Sequence, residues 1–498
     1  MTPPGAAAGG EPLTTPKATD AAPAPSPLRR RGVLGCILAA AMTVLDLSMT
    51  STALGSIQEG VHASLGKGSL VITAYATAEL ITLSLSAYLT RAMRPRTYLV
   101  VLVCLFVTGA LLSASAWSFE SLLVARLVQG AASGAIMPFA YYAIVVLLPL
   151  DEHPKAISTF SLTVTGSYVL APILCITLGQ WISWRALYCV AVPAGAFALW
   201  LALPALRAMR PDESPLGRRF NAVSVLAVVV GLFCTQYILD TGQDRGWFSS
   251  AVVSAGVGTA VVAFGLVVWS ELRSRNPLVD LRLLRLRPFL ASCLFNVVAG
   301  GAVYSSLVLI PLYLTTLGFS TGEIGTVSLY GGTVQLVIAL GLPVLLRRVD
   351  TFLLTAGGAT VFSVAALLPF LAGPTPPYAV IVVALMARSV GAGLLLAALG
   401  LMATRALGPG QASSGSLLFN MARSLGGSVG AALCAAFLAI RQAYHTDATH
   451  TATEARMPAL HDVLGVAFVI LLLLALALLA GHLLRRPGAR GAVGTTDG

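Results

Sequence analysis

The chain has 498 residues, 57% of them hydrophobic and 10% charged, with a mean hydropathy of +0.85. A soluble domain carries about 25% charged residues and lacks repeated apolar runs of about 20 residues, so a soluble protein is excluded and an all-α, polytopic membrane protein is expected. The net charge of +11 does not call for nucleic acid, because Lys and Arg fall in short connectors on alternate sides of the apolar runs.

Residues 1–28, rich in Pro, Ala and Thr without an apolar period, read as disordered. With Arg29-Arg30-Arg31 they form a tail over 1–31. It is not a cleavable signal peptide, since the charges lead straight into a full-length span. Fourteen spans follow, near 33–57, 69–90, 97–116, 120–148, 157–180, 187–206, 221–240, 250–270, 289–314, 323–346, 352–372, 378–403, 411–439 and 461–484. They group as a six-helix bundle (32–207), linkers with two additional helices (208–288), a second six-helix bundle (289–484) and a short tail (485–498). Of the 31 Lys and Arg, 23 lie on the side of both termini. Five lie opposite (Lys67, Arg185, Arg245, Arg441 and Arg456), so both termini are expected in the cytoplasm. An echo supports two repeats: span 4 reads ARLVQGAASGAIMP and span 12 reads ARSVGAGLLLA, eight spans apart.

Only two acids lie deep in a span. Asp46, in TVLDLSMTSTALGSI, is about thirteen residues into span 1, roughly 20 Å along a helix. Glu79 is about ten residues into span 2, and the antiparallel neighbours are expected to bring the two acids close. An ionised carboxylate at midplane depth costs at least about 2.5–3.5 kcal/mol and reads as a functional site by default. Such a pair is suited to binding and releasing protons. The alternative is a protonated acid satisfied by hydroxyls of its own helix, with Thr43 and Thr50 on the face of Asp46.

Three cations are intramembrane: Arg126, Arg388 and Arg423. Arg126 precedes Gln129, Gly130, Gly134 and Pro138, which combine a charge with close approach of a neighbour and a loosened helix. It reads as a switching partner that pairs with an acid and releases it, or else as a static salt bridge. Arg388 and Arg423 read nearer to structural. Gly166 and Pro172 in span 5, with Gly179, suggest a seam that slides or bends, though packing alone explains them equally well. The seven Cys all fall in apolar runs and read as small buried hydrophobes. His445 and His450 share a polar outer loop and read as solvated. No phosphate-cradling loop, cofactor motif or metal-spaced ligand set appears, so neither a cofactor nor a metal is expected and the energy source is an ion gradient rather than ATP. No nucleophile–base pair suggests an enzyme.

The motifs then match a family. LDLSMTSTALG places Asp46 on an acid of the pattern L-D-x-T-I-V-N-V-A-L-P, and Thr73-Ala74-Tyr75 gives the T-A-Y of span 2. Arg126, Gln129, Gly130 and Pro138 fit R-x-x-Q-G-x-G followed by proline. WRALYCVAVPAG is similar to W-R-x-x-F-x-x-N-x-P-x-G. The chain resembles the major facilitator superfamily in its fourteen-span drug:proton antiporter branch, the EmrB/QacA type, over roughly residues 32–485. The resemblance implies the major facilitator fold with fourteen transmembrane helices, two six-helix bundles plus a central extra pair. It further implies alternating access and export of bulky amphipathic compounds. The connector after span 2 keeps Arg91, Arg94 and Arg96 but loses its glycines. Ser51 and Gly55 replace an Asn and a Pro of span 1, and APILCI replaces G-P-x-x-G-G in span 5, so Ala171, Cys175 and Ile176 stand where glycines are usual.

The expected protein is therefore a proton-coupled exporter of small amphipathic organic molecules, such as antibiotics or secondary metabolites. Asp46 and Glu79 are the proton-coupling acids, with Glu79 alternatively a counter-ion to cationic substrate, and Arg126 is the switching partner. Thr50, Tyr75, Gln129, Tyr142 and Asn420 are candidates for the substrate cavity. Gly130, Gly134, Pro138, Gly166, Pro172, Arg91 and Arg94 are the conformational motif. The partners are a lipid bilayer, protons and a small-molecule substrate, with no nucleic acid. The chain is expected as a multi-pass monomer in a bacterial plasma (inner) membrane. The rival reading is a metabolite facilitator or importer of the same fold, with a non-transporting membrane sensor more remote.

Overall fold

A computed structural model describes residues 26–63, 68–207, 222–241, 250–273, 281–373, 376–407, 411–449 and 456–484. The first half comprises α1 (Ser26–Thr52), α2 (Leu54–Gly60), α3 (Ser69–Ala92), α4 (Pro95–Ala114), α5 (Phe119–Leu147), α6 (His153–Leu174), α7 (Trp184–Cys189) and α8 (Ala191–Leu206). After these come α9 (Ala222–Thr241) and α10 (Ala251–Arg273). The second half is α11 (Arg287–Thr316), α12 (Thr321–Arg348), α13 (Thr351–Leu371), α14 (Tyr378–Arg405), α15 (Ala412–Thr449) and α16 (Arg456–Leu484). Among the described residues twelve helices are long and apolar enough to cross a membrane, and Leu70–Ser86 and Val223–Thr235 form two shorter apolar helices. These coincide with the fourteen runs read from the sequence.

Helix starts follow local chemistry. Ser118 caps α5 by accepting from the Ser121 N–H, and Ser320 caps α12 in a reciprocal box with Glu323. Proline at the first turn opens α4, α6 and α11, where its missing N–H costs nothing. Pro138 lies inside α5 without ending it. Directly after α6 the chain makes a π-helical turn over Cys175–Gly179, in the altered span 5 motif.

The first half closes on a core that includes Ile37, Tyr98, Phe106, Phe139 and Leu187. The second closes on clusters around Leu314 and Leu460, and around Phe362 and Leu399. The α9–α10 pair packs on α3 and α15. Large apolar side chains such as Val145, Trp200, Val261 and Leu473 face outward, as required of walls bathed in lipid.

Four expectations are corrected. The helix of span 1 begins at Ser26, inside the stretch assigned to the tail, because Arg30 is held bidentately by Glu152 at 2.9 and 2.7 Å and Arg31 lies over Trp200. At the far end α15 continues to Thr449, through the stretch expected as a solvated loop. One helical turn apart there, Arg441 and His445 both reach Asp462 Oδ2 on α16, at 2.6 and 2.8 Å. His445 is thus tied to a neighbouring helix, while His450 lies outside the described residues. Cys104 and Cys189 are not buried but lie on outward faces.

Candidate functional site

The deepest polar cluster joins α1 to α5. Arg126 is fully buried and Asp46 is 2% exposed. Arg126 Nη1 donates to Asp46 Oδ2 at 2.7 Å and to Gln129 Oε1 at 2.6 Å, and Gln129 Nε2 donates to Asp46 Oδ1 at 2.7 Å. Both carboxylate oxygens therefore accept, one from a guanidinium and one from an amide, which is the pattern of an ionised acid. Gln129 is one turn after Arg126, so the helix itself presents the two donors side by side. The guanidinium lies 4.4 Å from the Tyr75 ring centre and 5.7 Å from that of Tyr188, with Nε donating at 3.4 Å to the Val71 carbonyl. Displacing the carboxylate would leave the cation between two aromatic faces, each worth about 2 kcal/mol or less to it. An acid that can be neutralised beside a cation with other partners waiting is the chemical minimum of a protonation switch.

Asp46 and Glu79, expected close together, make different hydrogen bonds, while Arg126 and Tyr75 interact electrostatically with both. Glu79 instead faces the second half. Tyr304 of α11 makes a long hydrogen bond to its Oε2, at 3.5 Å, and Arg423 of α15 and Arg126 act on it electrostatically without an ion pair among the described residues. Tyr188 and Tyr304 carried no signal in the sequence.

Around these charges the halves touch. Ser51 Oγ donates to the Leu307 carbonyl at 2.6 Å, Ser56 bonds Thr321, and Thr77 and Ser428 pair at 3.1 Å. Gly55 leaves room for Thr315, whose hydroxyl would stand 2.9 Å from an added Cβ. Ile176 fits against Gly325, 2.8 Å from where a Cβ would sit. Of the positions that depart from the family patterns, Ser51, Gly55 and Ile176 are therefore contacts between the halves, whereas Cys175 stays within the first half, its Sγ 3.6 Å from the Met49 carbonyl of α1.

The remaining candidates distribute as follows. Thr50, Tyr75 and Gln129 are each 1% exposed or less and serve the ion pair in this conformation; Thr50 Oγ1 donates to Tyr188 Oη at 3.4 Å. Tyr142 packs on Phe139, and Asn420 donates to the Ser416 carbonyl within its own helix. Gly130 and Gly134 are where α3 crosses α5 so closely that a Cβ would fall on the carbonyls of Tyr75 and Glu79. Gly166 by contrast meets open space, and the Pro172 carbonyl lies 3.3 Å from a Cβ placed on Gly325. Arg94 caps α4 with extended backbone; the side chain of Arg91 is outside the described residues. Glu271, at the end of α10 and 3% exposed, is a second buried acid beside Asp46 that its span-end position concealed. Among the described residues no group of three or more His, Cys, Asp or Glu is placed to hold a metal ion.

Two helical bundles that meet face to face around intramembrane charges define a multi-pass membrane transporter. The chain belongs to the Major Facilitator Superfamily, whose family model matches residues 36–431. It is 28% identical over 422 residues to the multidrug export protein EmrB of Haemophilus influenzae, covering 83% of this chain and 81% of that relative. With EmrB of Escherichia coli K12 it shares 28% identity over 308 residues, 61% of this chain and 59% of the relative, less than two thirds of its length. The exporter branch named from the sequence is thus met again among its relatives. Among solved structures, the POT family transporter PepTSo superposes with a TM-score of 0.65 at 13% identity, covering 90% of this chain and 98% of the other, a likeness of fold alone. The protein accordingly works in a lipid bilayer on small-molecule substrates.

Proposed function

We propose that this protein exports small amphipathic organic compounds in exchange for protons, by alternating access across the plasma membrane, as a monomer with both termini in the cytoplasm. The observation that carries the reading is the buried Asp46–Arg126–Gln129 cluster. Protonating Asp46 removes the charge that holds Arg126 and turns an acceptor oxygen into a donor, so the bonds at Oδ1 and Oδ2 cannot both persist. The cluster lies next to the α1 end that touches α11 and α12. A proton at Asp46 is thus well placed to bias those contacts. Glu79, between Tyr304 and Arg423, is the second acid and faces the seam where a substrate passes.

The test is proton-gradient-driven efflux from vesicles carrying Asp46→Asn. Gradient-dependent transport should vanish, and undiminished transport would remove Asp46 from the coupling role. A facilitator or importer is the second reading, favoured by the altered span 5, where Cys175 begins a π-helical turn. Accumulation of substrate on the opposite side of the vesicle under the same pH gradient would decide for it.

A further inference from the structure

Where the α9–α10 pair packs on the rest of the protein, a partly open crevice of about 80 Å³ lies between α9, α10, α3 of the first half and α15 of the second. Its walls are almost wholly apolar and include Leu85, Val228, Val267 and Leu418. One edge is Leu281, the first residue of a short 3-10 segment, Leu281–Arg285, that leads into α11. Arg282 Nη2 donates to the Leu272 carbonyl at 3.4 Å, so this side chain turns toward the end of α10. Side chains three apart eclipse in a 3-10 helix, and Arg285 therefore projects to the same side, toward the α10 end that carries Arg273. Arg273 and Arg285 are exposed, and among the described residues neither forms an ion pair. Glu271, the acid in the crevice wall, is 3% exposed and pairs with neither. Trp269, 53% exposed, has its ring centre 5.0 Å from the Arg273 guanidinium, the pairing that marks the head-group level of a bilayer.

Two guanidiniums at that level, beside an apolar crevice, call for a ligand anionic at one end and hydrocarbon at the other. Guanidinium forks match the oxygens of a phosphate, and basic groups between transmembrane helices attract anionic lipid heads. Free phosphate would leave the crevice without an occupant, and a zwitterionic lipid would bring a second cation to the arginines. A rise of about 2 Å per residue sets Arg285 about 8 Å from Leu281, near enough for one lipid to reach both. The crevice is too small for a whole chain and takes a few of its carbons. We propose that it binds one anionic phospholipid, the phosphate on Arg273 and Arg285 and part of one acyl chain among α3, α9 and α15. The lipid joins the α9–α10 pair to both halves, and the site is independent of the direction or coupling of transport.

Native mass spectrometry of the full chain in dodecyl maltoside, titrated with dioleoylphosphatidylglycerol, tests this without any transport assay. The first phosphatidylglycerol should bind at least about tenfold more tightly than dioleoylphosphatidylcholine, which has the same chains and no net charge. Arg273→Gln combined with Arg285→Gln should abolish that preference. Arg96→Gln combined with Arg348→Gln, which removes two exposed arginines at other helix ends, should leave it intact. Val228→Phe, which fills the crevice from α9, should weaken both lipids. Equal binding of the two lipids would reduce the site to an apolar gap, and displacement of phosphatidylglycerol by equimolar inorganic phosphate would reduce it to a bare anion site. Equal losses in the two arginine double variants would mean diffuse surface charge, and unchanged affinity in Val228→Phe would place the chain elsewhere. Each of these results overturns the proposal. Should Val228→Phe fail to fold, the lipid comparison and the two arginine double variants still decide it.

Discussion

The two halves of the molecule each carry an arginine at a similar depth, and the two arginines meet different company. In the first half Arg126 finds Asp46 on α1, Gln129 one turn along its own helix and two aromatic faces. In the second half Arg388 finds Ser306 on α11, in the place Asp46 holds on α1, while the residue one turn along is Gly391, which has no side chain to offer. In each site one guanidinium nitrogen is buried without a partner, Nη2 of Arg126 and Nε of Arg388, but only the first guanidinium meets a carboxylate. Two repeats of one architecture thus hold one arginine in an ion pair and the other on a neutral hydroxyl.

The comparison breaks most readily by removing each arginine in turn. Arg126→Met leaves Asp46 buried with only Gln129 to bond it. Loss of one member of a buried pair costs about 3–5 kcal/mol, so a large fall in melting temperature is expected. Arg388→Met orphans no charge, only the oxygen of Ser306, and should leave the melting temperature near that of the native chain. Equal losses in the two variants would mean that Arg388 has a permanent partner, and the contrast between the halves would collapse. Ser306→Asp sharpens the same contrast by giving the second half its missing acid. The attraction to Arg388 roughly offsets the cost of burying the new charge, so stability should change by no more than about 1 kcal/mol. A loss of several kcal/mol in Ser306→Asp would show that the second half cannot form the pair that Asp46 makes in the first.

Much of this was legible in the sequence, and the reasons differ by residue. Helices in a bilayer must satisfy every backbone group internally, so the apolar runs alone placed them, most boundaries falling within a few residues. Asp46 and Arg126 were legible because a charge within a span is rare enough to be informative. Which residue each charge meets was not legible. Glu79 bonds Tyr304 of the second half, a choice that depends on how the halves lean together. The partner of Arg388 is a serine, and nothing in the sequence separates Ser306 from other serines in spans. The extension of α15 was hidden for a related reason: its polar last turns look like a loop until Asp462 on α16 supplies the partner for Arg441 and His445.

The smallest expected effect concerns an ion pair of the opposite kind. Arg30 and Glu152 join the start of α1 to the α5–α6 connector at 2.7 Å, with the Arg30 side chain 64% exposed. Here too the geometry is bidentate, but water competes for both charges. The hydrogen bond from Arg30 holds the Glu152 carboxyl below the usual carboxylate value. A depressed folded-state pKa means that the pair adds stability above the unfolded carboxylate value and loses it as pH falls through the folded one. Glu152→Gln should therefore lower the melting temperature slightly at neutral pH, and the difference should shrink on acidification and at high salt. A loss as large as that of Arg126→Met would show that geometry sets the strength of these pairs. The expected small loss would assign that role to burial, the property that separates Asp46 from Glu152.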